Sequence, residues 1–181
     1  MRPYVEENLR LCAPVVHVDV GNKEVVLEDG TRERYDVLMS TVPMDKLVRM
    51  TNGATPDSVV EQAGRLRHSG SFIVGVGVNQ PCPSKKCWMY FPEANAPFYR
   101  VTYLSNYSPE VVPDASRQYS LLAEISHSEF KPERRDTIVQ QTLDGMVNTR
   151  LLKESDLKDV VDTFVIERDY TYPTPSLERD A

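Results

Sequence analysis

The chain has 181 residues, with 21 Lys+Arg against 27 Asp+Glu and a formal net charge of −6; a chain this long buries about 70% of its unfolded surface, enough for a core in one domain or a domain and a half. The acidic balance argues against a nucleic-acid partner; no apolar run approaches the ~20 residues of a membrane span, and the first thirty residues carry acids where a signal peptide would be apolar. Cys12, Cys82 and Cys87 form no CxxC pair and the three histidines are scattered, which argues against a disulfide framework or a metal site and predicts a reduced, cytoplasmic setting.

Residues 13–42 read as a β-meander. Val15, Val16 and Val18 form a β-branched strand, turned at Gly21-Asn22. Val25, Val26 and Leu27 form the next, and Asp29-Gly30 is a hairpin signal. Residues 35–42 are expected as a third, increasingly buried strand ending at Pro43. A short helix follows to about Met50, because Pro suits the first helical position. Thr55-Pro56-Asp57 predicts a second helix start, with Thr55 as cap.

Residues 71–78, SFIVGVGV, read as a buried strand whose glycines mark close approach by a neighbour. GVGVNQ is not a dinucleotide fingerprint, since the third glycine is absent and no helical pattern follows. Residues 87–91, 98–104 and 119–126 read as three further strands. Pro132 is expected to open a helix in which Ile138, Val139, Leu143, Met146, Val147 and Leu151 recur at helical spacing. Residues 160–166 close the set as a strand, and residues 170–177 read as a proline-bearing loop. Strands in runs with few βαβ alternations predict an α+β fold: an antiparallel sheet with packed helices, plus the meander.

The aromatic residues are unevenly spread. Of 15 in the chain, seven fall between Trp88 and Tyr107, with Arg100 among them. A core disperses its aromatics, so a cluster around an arginine reads as a ligand surface. Trp88 and Tyr90 lie two apart on one predicted strand and so face the same side; a core role is their alternative reading. Arg100 alone reads as a surface salt-bridge residue. Phe91, Phe98 and Tyr99 are expected to pack, and Cys87 to be a small buried residue. The run 131–136 is expected as a solvated helix start.

Two stretches carry a family resemblance. APVVHVDV, KEVVLEDG and YDVLMSTVP, within residues 13–43, resemble the meander of the flavin-dependent amine-oxidase superfamily. KKCWMYFPEANAPFYRVTYLSNYSP, residues 85–109, and YPTPSLERD, residues 172–180, resemble the substrate domain of UDP-galactopyranose mutase of the eukaryotic type.

That family interconverts UDP-galactopyranose and UDP-galactofuranose. The resemblance implies a reduced FAD whose N5 attacks the anomeric carbon while UDP leaves, through a flavin–sugar adduct. It implies that Val15 contacts the FAD adenosine through its backbone. Arg100 matches the family's diphosphate arginine, expected to be both catalytic and substrate-binding, and Tyr107 and Tyr172 match tyrosines on the same phosphates. Trp88 and Tyr90 match positions lining the nucleotide–sugar cleft. A planar, permanently charged guanidinium suits that task, because it binds phosphate oxygens in a fork.

The family's GxGxxG turn is absent from the sequence. The chain therefore reads as the middle of an enzyme, with residues 1–43 from the FAD-binding domain and residues 44–181 a UDP-sugar-binding domain incomplete at its C-terminus. Its expected partners are UDP-galactose and the enzyme's N- and C-terminal segments; an oligomer is left open. The isolated chain is expected to be inactive and not to retain FAD. The alternatives are another amine-oxidase-like FAD oxidoreductase, or a non-catalytic sugar-nucleotide-binding fragment.

Overall fold

A computed structural model describes residues 2–51 and 53–176. Residues 177–180 of the YPTPSLERD stretch lie outside the described residues. The chain divides into two compact units, Met1–Arg67 with Pro175–Ala181, and His68–Thr174.

In the first unit a four-residue helix, α1 (Arg2–Val5), precedes the meander β1 (Val15–Asp19), β2 (Glu24–Leu27) and β3 (Arg32–Arg34), an antiparallel sheet in that order. Asp29-Gly30 makes the predicted turn: Gly30 has φ +83°, its N–H donates to the Leu27 carbonyl, and the Asp29 carboxylate accepts from the Thr31 N–H. The third strand differs from expectation. It comprises the polar residues just after this turn, because the tight hairpin brings Arg32, Glu33 and Arg34 directly opposite Val26, Val25 and Glu24. Residues 35–42 form no strand, and Val37 and Met39 are exposed. No strand among the described residues offers them a ladder.

Helices α2 (Met44–Met50) and α3 (Asp57–Arg65) start after Pro43 and Pro56. Thr55 is not the cap expected of it: its hydroxyl pairs with that of Thr51 instead.

The second unit holds an antiparallel sheet in the order β5-β6-β7-β4-β8, formed by β4 (His68–Val78), β5 (Trp88–Tyr90), β6 (Arg100–Tyr103), β7 (Tyr119–His127) and β8 (Val160–Pro173). The α+β class with an antiparallel sheet and packed helices is as expected. Strand β8 is twice as long as predicted and takes in residues 170–173 of the expected loop, since a bulge between Ser69 and Ser71 lets Tyr172 and Pro173 continue pairing with β4. Gly75 meets the predicted close neighbour: a Cβ there would overlap the Phe164 ring. Gly77 has no comparably close neighbour.

One face of this sheet is dry. Phe72, Val74, Val76, Val101, Leu121, Ala123 and Ile125 form a single core with Ile138 and Met146 of α4 (Ile138–Asn148). The helix begins six residues after Pro132. Residues 132–134 are irregular and 135–137 form a turn instead, with Arg134 and Asp136 paired to each other and the Thr137 hydroxyl donating back to the Arg134 carbonyl. The buried Thr142 hydroxyl is satisfied by the Ile138 carbonyl at 2.7 Å. Arg150 ends the helix at φ +62°, and the Leu151 N–H reaches back to the Met146 carbonyl at 2.9 Å. This six-to-one bond satisfies one of the carbonyls that every helix end leaves open.

Met146 has no exposed surface, whereas Met39 is 92% exposed. Met146→Ala is therefore expected to cost about 2–4 kcal/mol through lost burial and a residual cavity. Met39→Ala should stay within about 0.5 kcal/mol. Denaturant unfolding of the two variants measures the contrast.

Candidate functional site

The opposite face of the second unit's sheet carries most of the predicted site residues. Side chains alternate across a strand, so the register that buries Val101 and Ala123 turns Arg100 and Glu124 to the other side. Tyr90 of β5, Arg100 of β6 and Glu124 of β7 stand side by side across three strands. Trp88, Thr102 and Leu122 form the next row. Trp88 and Tyr90 are 54% and 61% exposed, which removes their alternative reading as core residues.

Arg100 is the hub. Its Nε donates to Glu124 Oε1 at 2.7 Å, and its Nη2 to Oε2 at 2.6 Å. Nη1 reaches the Tyr90 hydroxyl, and Nη2 the Tyr172 hydroxyl, each at 3.4 Å. The guanidinium carbon lies 5.9 Å from the Tyr90 ring centroid. Arg100 titrates above the ordinary arginine value: the Tyr90 hydroxyl accepts from it, burial opposes, and the Glu124 carboxylate adds its charge. It is cationic at any working pH.

Tyr107 stacks on Trp88, with ring centroids 6.1 Å apart and planes 13° from parallel. The pair is held by Asn106, whose Nδ2 donates to the Ser84 and Lys86 carbonyls at 2.9 and 2.7 Å. That ties the loop entering β5 to the turn carrying Tyr107. Trp88, Tyr90, Arg100, Leu122 and Glu124 line an open concavity of about 470 Å³, with Tyr107 at its side.

Five of the six predicted site residues thus belong to one surface: Trp88, Tyr90, Arg100, Tyr107 and Tyr172. Val15 lies in the first unit. Its pairing with Leu27 is the non-hydrogen-bonded kind, flanked by the Glu28 N–H to Pro14 carbonyl bond, so its own N–H and C=O point out of the sheet edge.

Two readings needed revising. Tyr99 is more than packing: its hydroxyl donates to Glu124 Oε2 at 2.8 Å. Burial, and then the bond to that carboxylate and its charge, raise the Tyr99 pKa well above the ordinary tyrosine value. Cys87 is exposed rather than buried, because it stands just outside β5. Glu124 was missed altogether. Its signal was an acid inside the apolar run LLAEIS, where a buried strand has no use for a charge without a partner.

No model of a known protein family matches the sequence. Solved structures do. The chain is similar to a crystal structure of reduced UDP-galactopyranose mutase, with a TM-score of 0.82 and 34% identity, over 92% of this chain and 36% of that one. A proposed protoporphyrinogen oxidase from Exiguobacterium sp. aligns at TM-score 0.64 and 16% identity, over 97% of this chain and 39% of that one. An oxidoreductase from Methanosarcina mazei aligns at 0.54 and 12%, over 87% and 37%. The last two show a shared fold alone. The chain spans little more than a third of the length of each of these structures. No helix among the described residues is long and apolar enough to cross a membrane.

Burial raises the pKa values of Tyr99, Tyr103 and Tyr119. In an alkaline titration followed by tyrosinate absorbance, the native chain should therefore ionise fewer tyrosines than the denatured chain at the same alkaline pH, with Tyr99, Tyr103 and Tyr119 lagging. Because the folded-state values lie above the unfolded ones, this contribution to stability is full below about pH 10. It falls as pH rises towards the folded values, since the unfolded chain there binds fewer protons.

Proposed function

We propose that this chain is the substrate-binding part of a flavin-dependent UDP-galactopyranose mutase of the eukaryotic type, working in the cytoplasm. The observation that carries this reading is Arg100, aimed into an aromatic concavity between two tyrosine hydroxyls, in a chain 34% identical to a UDP-galactopyranose mutase over 92% of this chain. Residues 1–43 are assigned to the FAD-binding domain and residues 44–181 to the UDP-sugar domain. The three unpaired cysteines suit a reducing compartment.

In this reading the diphosphate of UDP-galactose takes the donors of Arg100 that Glu124 leaves over. A charge-assisted fork holds two phosphate oxygens in one plane, so UDP stays in place while its bond to the sugar breaks and reforms. The Tyr90 and Tyr172 hydroxyls, now 3.4 Å from Arg100, turn to the same oxygens as neutral donors, and Tyr107 adds a third. The stacked Trp88 and Tyr107 rings form an apolar wall that keeps bulk water from one side of the sugar nucleotide.

Reduced FAD, when bound, is the source of the nucleophile for the anomeric carbon. Val15 fits as one contact to it, because its outward-facing amide and carbonyl can pair with an adenine edge without a side chain in the way. The sequence contains no Gly-rich turn to cradle a pyrophosphate. Purified alone, the 181-residue chain is expected to carry no stoichiometric flavin absorbance.

Trp88 is the single tryptophan of the chain, so its emission reports on this site alone. UDP and UDP-galactose are expected to shift it saturably. Arg100→Ala should weaken binding by about 1.5–3 kcal/mol, the worth of a charge-assisted contact. Tyr107→Phe and Tyr172→Phe should each lose only about 0.5–1.5 kcal/mol, and Arg100→Lys should recover part of the arginine's effect. Normal binding by Arg100→Ala with abolition by either tyrosine change would overturn the clamp. Joined to an FAD-binding domain and chemically reduced, the protein is expected to convert UDP-galactofuranose to UDP-galactopyranose, and Arg100→Ala to lose about ten- to a hundred-fold in rate.

A further inference from the structure

Arg100 has more donors than its neighbours use, and a residue on the adjacent strand decides where the spare ones point. Glu124 occupies the Nε–Nη2 edge of the guanidinium side-on, at 2.7 and 2.6 Å. The two residues stand directly opposite in the β6–β7 ladder, so the sheet fixes both backbones. The carboxylate is braced from its other side by the Tyr99 hydroxyl at 2.8 Å. Side-chain exposure is 27% for Arg100 and 12% for Glu124, so little water competes for this pairing.

A guanidinium has five N–H donors. Glu124 takes two. Among the described residues, the two on Nη1 and the last on Nη2 meet only the Tyr90 and Tyr172 hydroxyls, at a distance where a hydrogen bond is weak. The strong bonds therefore hold one edge of Arg100, and the weak ones leave its other edge open to the concavity.

We propose that Glu124 is a positioning residue. It locks Arg100 so that its Nη1 side presents a ready fork to the phosphate oxygens of a nucleoside diphosphate, with Tyr99 steadying the carboxylate. The proposal rests on reading Arg100 as the diphosphate clamp. Glu124 itself touches no reacting atom and acts only through Arg100.

A purely electrostatic account of the same carboxylate has the opposite sign. A fixed negative charge beside an anion site repels the anion, so on that account removing Glu124 tightens UDP binding. Positioning makes its removal weaken binding, although the repulsion goes as well. Positioning also makes the effect depend on arginine at residue 100, because a lysine ammonium cannot fill a side-on fork.

The test is a cycle of Glu124→Gln, Arg100→Lys and the double variant in the full chain. UDP affinity is read from Trp88 emission, thermal unfolding is followed alongside, and the Arg100 Nε–H resonance is recorded by NMR without ligand. Glu124→Gln keeps the shape but sets an amide NH2 against a guanidinium N–H. It is expected to weaken UDP binding about five- to tenfold in the wild-type background and less than about twofold with Arg100→Lys. The Nε–H signal should be sharp in the wild type and broadened in Glu124→Gln.

Equal or tighter UDP binding by Glu124→Gln overturns the proposal, and so does an equal loss in both backgrounds. A wild type that ignores UDP sinks the UDP-sugar reading instead. The Nε–H signal still decides the positioning claim, with an unchanged signal in Glu124→Gln refuting it. Should Glu124→Gln fail to fold, Tyr99→Phe carries the test, because it removes only the brace. It is expected to broaden the Nε–H signal and weaken UDP binding about twofold, and no change in either refutes the proposal.

Discussion

Strand alternation ties the core of the second unit to its site. Successive residues of β6 and β7 face opposite sides of the sheet, so Val101 and Ala123 can be buried with α4 only if Arg100 and Glu124 face the other way. A slip of one residue would drive a guanidinium and a carboxylate into the dry face and put two apolar side chains in the concavity. Hydrophobic burial thus supplies both the stability of the sheet and the aim of the site. The face opposite α4 can hold polar and half-exposed aromatic groups because the core does not need them.

The same logic explains how charge is carried on a buried central strand. Glu124 lies in the middle of the five-stranded sheet, where an unpaired carboxylate would cost several kcal/mol of lost hydration, on the order of the penalty for an isolated buried ion. Two short bonds to Arg100 and one from Tyr99 replace its water. The pair is costly to break from either side, and it is retained on a surface where an apolar pair would pack as well. Its geometry suits orientation better than stability.

Much of this was legible in the residues. The strands with apolar alternation or apolar runs were found, and so was the aromatic cluster around Arg100, because both are local properties of the chain. The failures at the strands come from pairing, which a residue's own pattern does not encode, and the failure at Pro132 comes from local side-chain bonds. Residues 35–42 are apolar enough for a strand but find no ladder, whereas Arg32–Arg34 are polar yet pair because the Asp29-Gly30 turn delivers them. Tyr172 looked like loop because a proline follows it, yet β4 extends far enough to pair with it. Pro132 suited a helix start, but the chain stays irregular and then turns at 135–137, tied by local side-chain bonds, until Ile138. At the site, the residues with a recognisable word around them come together on one surface. Glu124 and Tyr99 matter only through contacts across strands, which no spacing encodes.

The contrast between short and long bonds around Arg100 gives the site its character. Glu124 at 2.6–2.7 Å and the tyrosine hydroxyls at 3.4 Å form a gradient across one side chain. A ligand that displaced the carboxylate would have to break two charge-assisted bonds, each about twice as strong as a neutral one. A ligand that displaced the tyrosine contacts would give up bonds beyond the usual N–H···O range and gain both freed hydroxyls as donors. The cheaper exchange leaves the guanidinium where Glu124 holds it. An anion entering this concavity therefore meets a cation already oriented, and its binding energy is not spent on ordering a long flexible side chain.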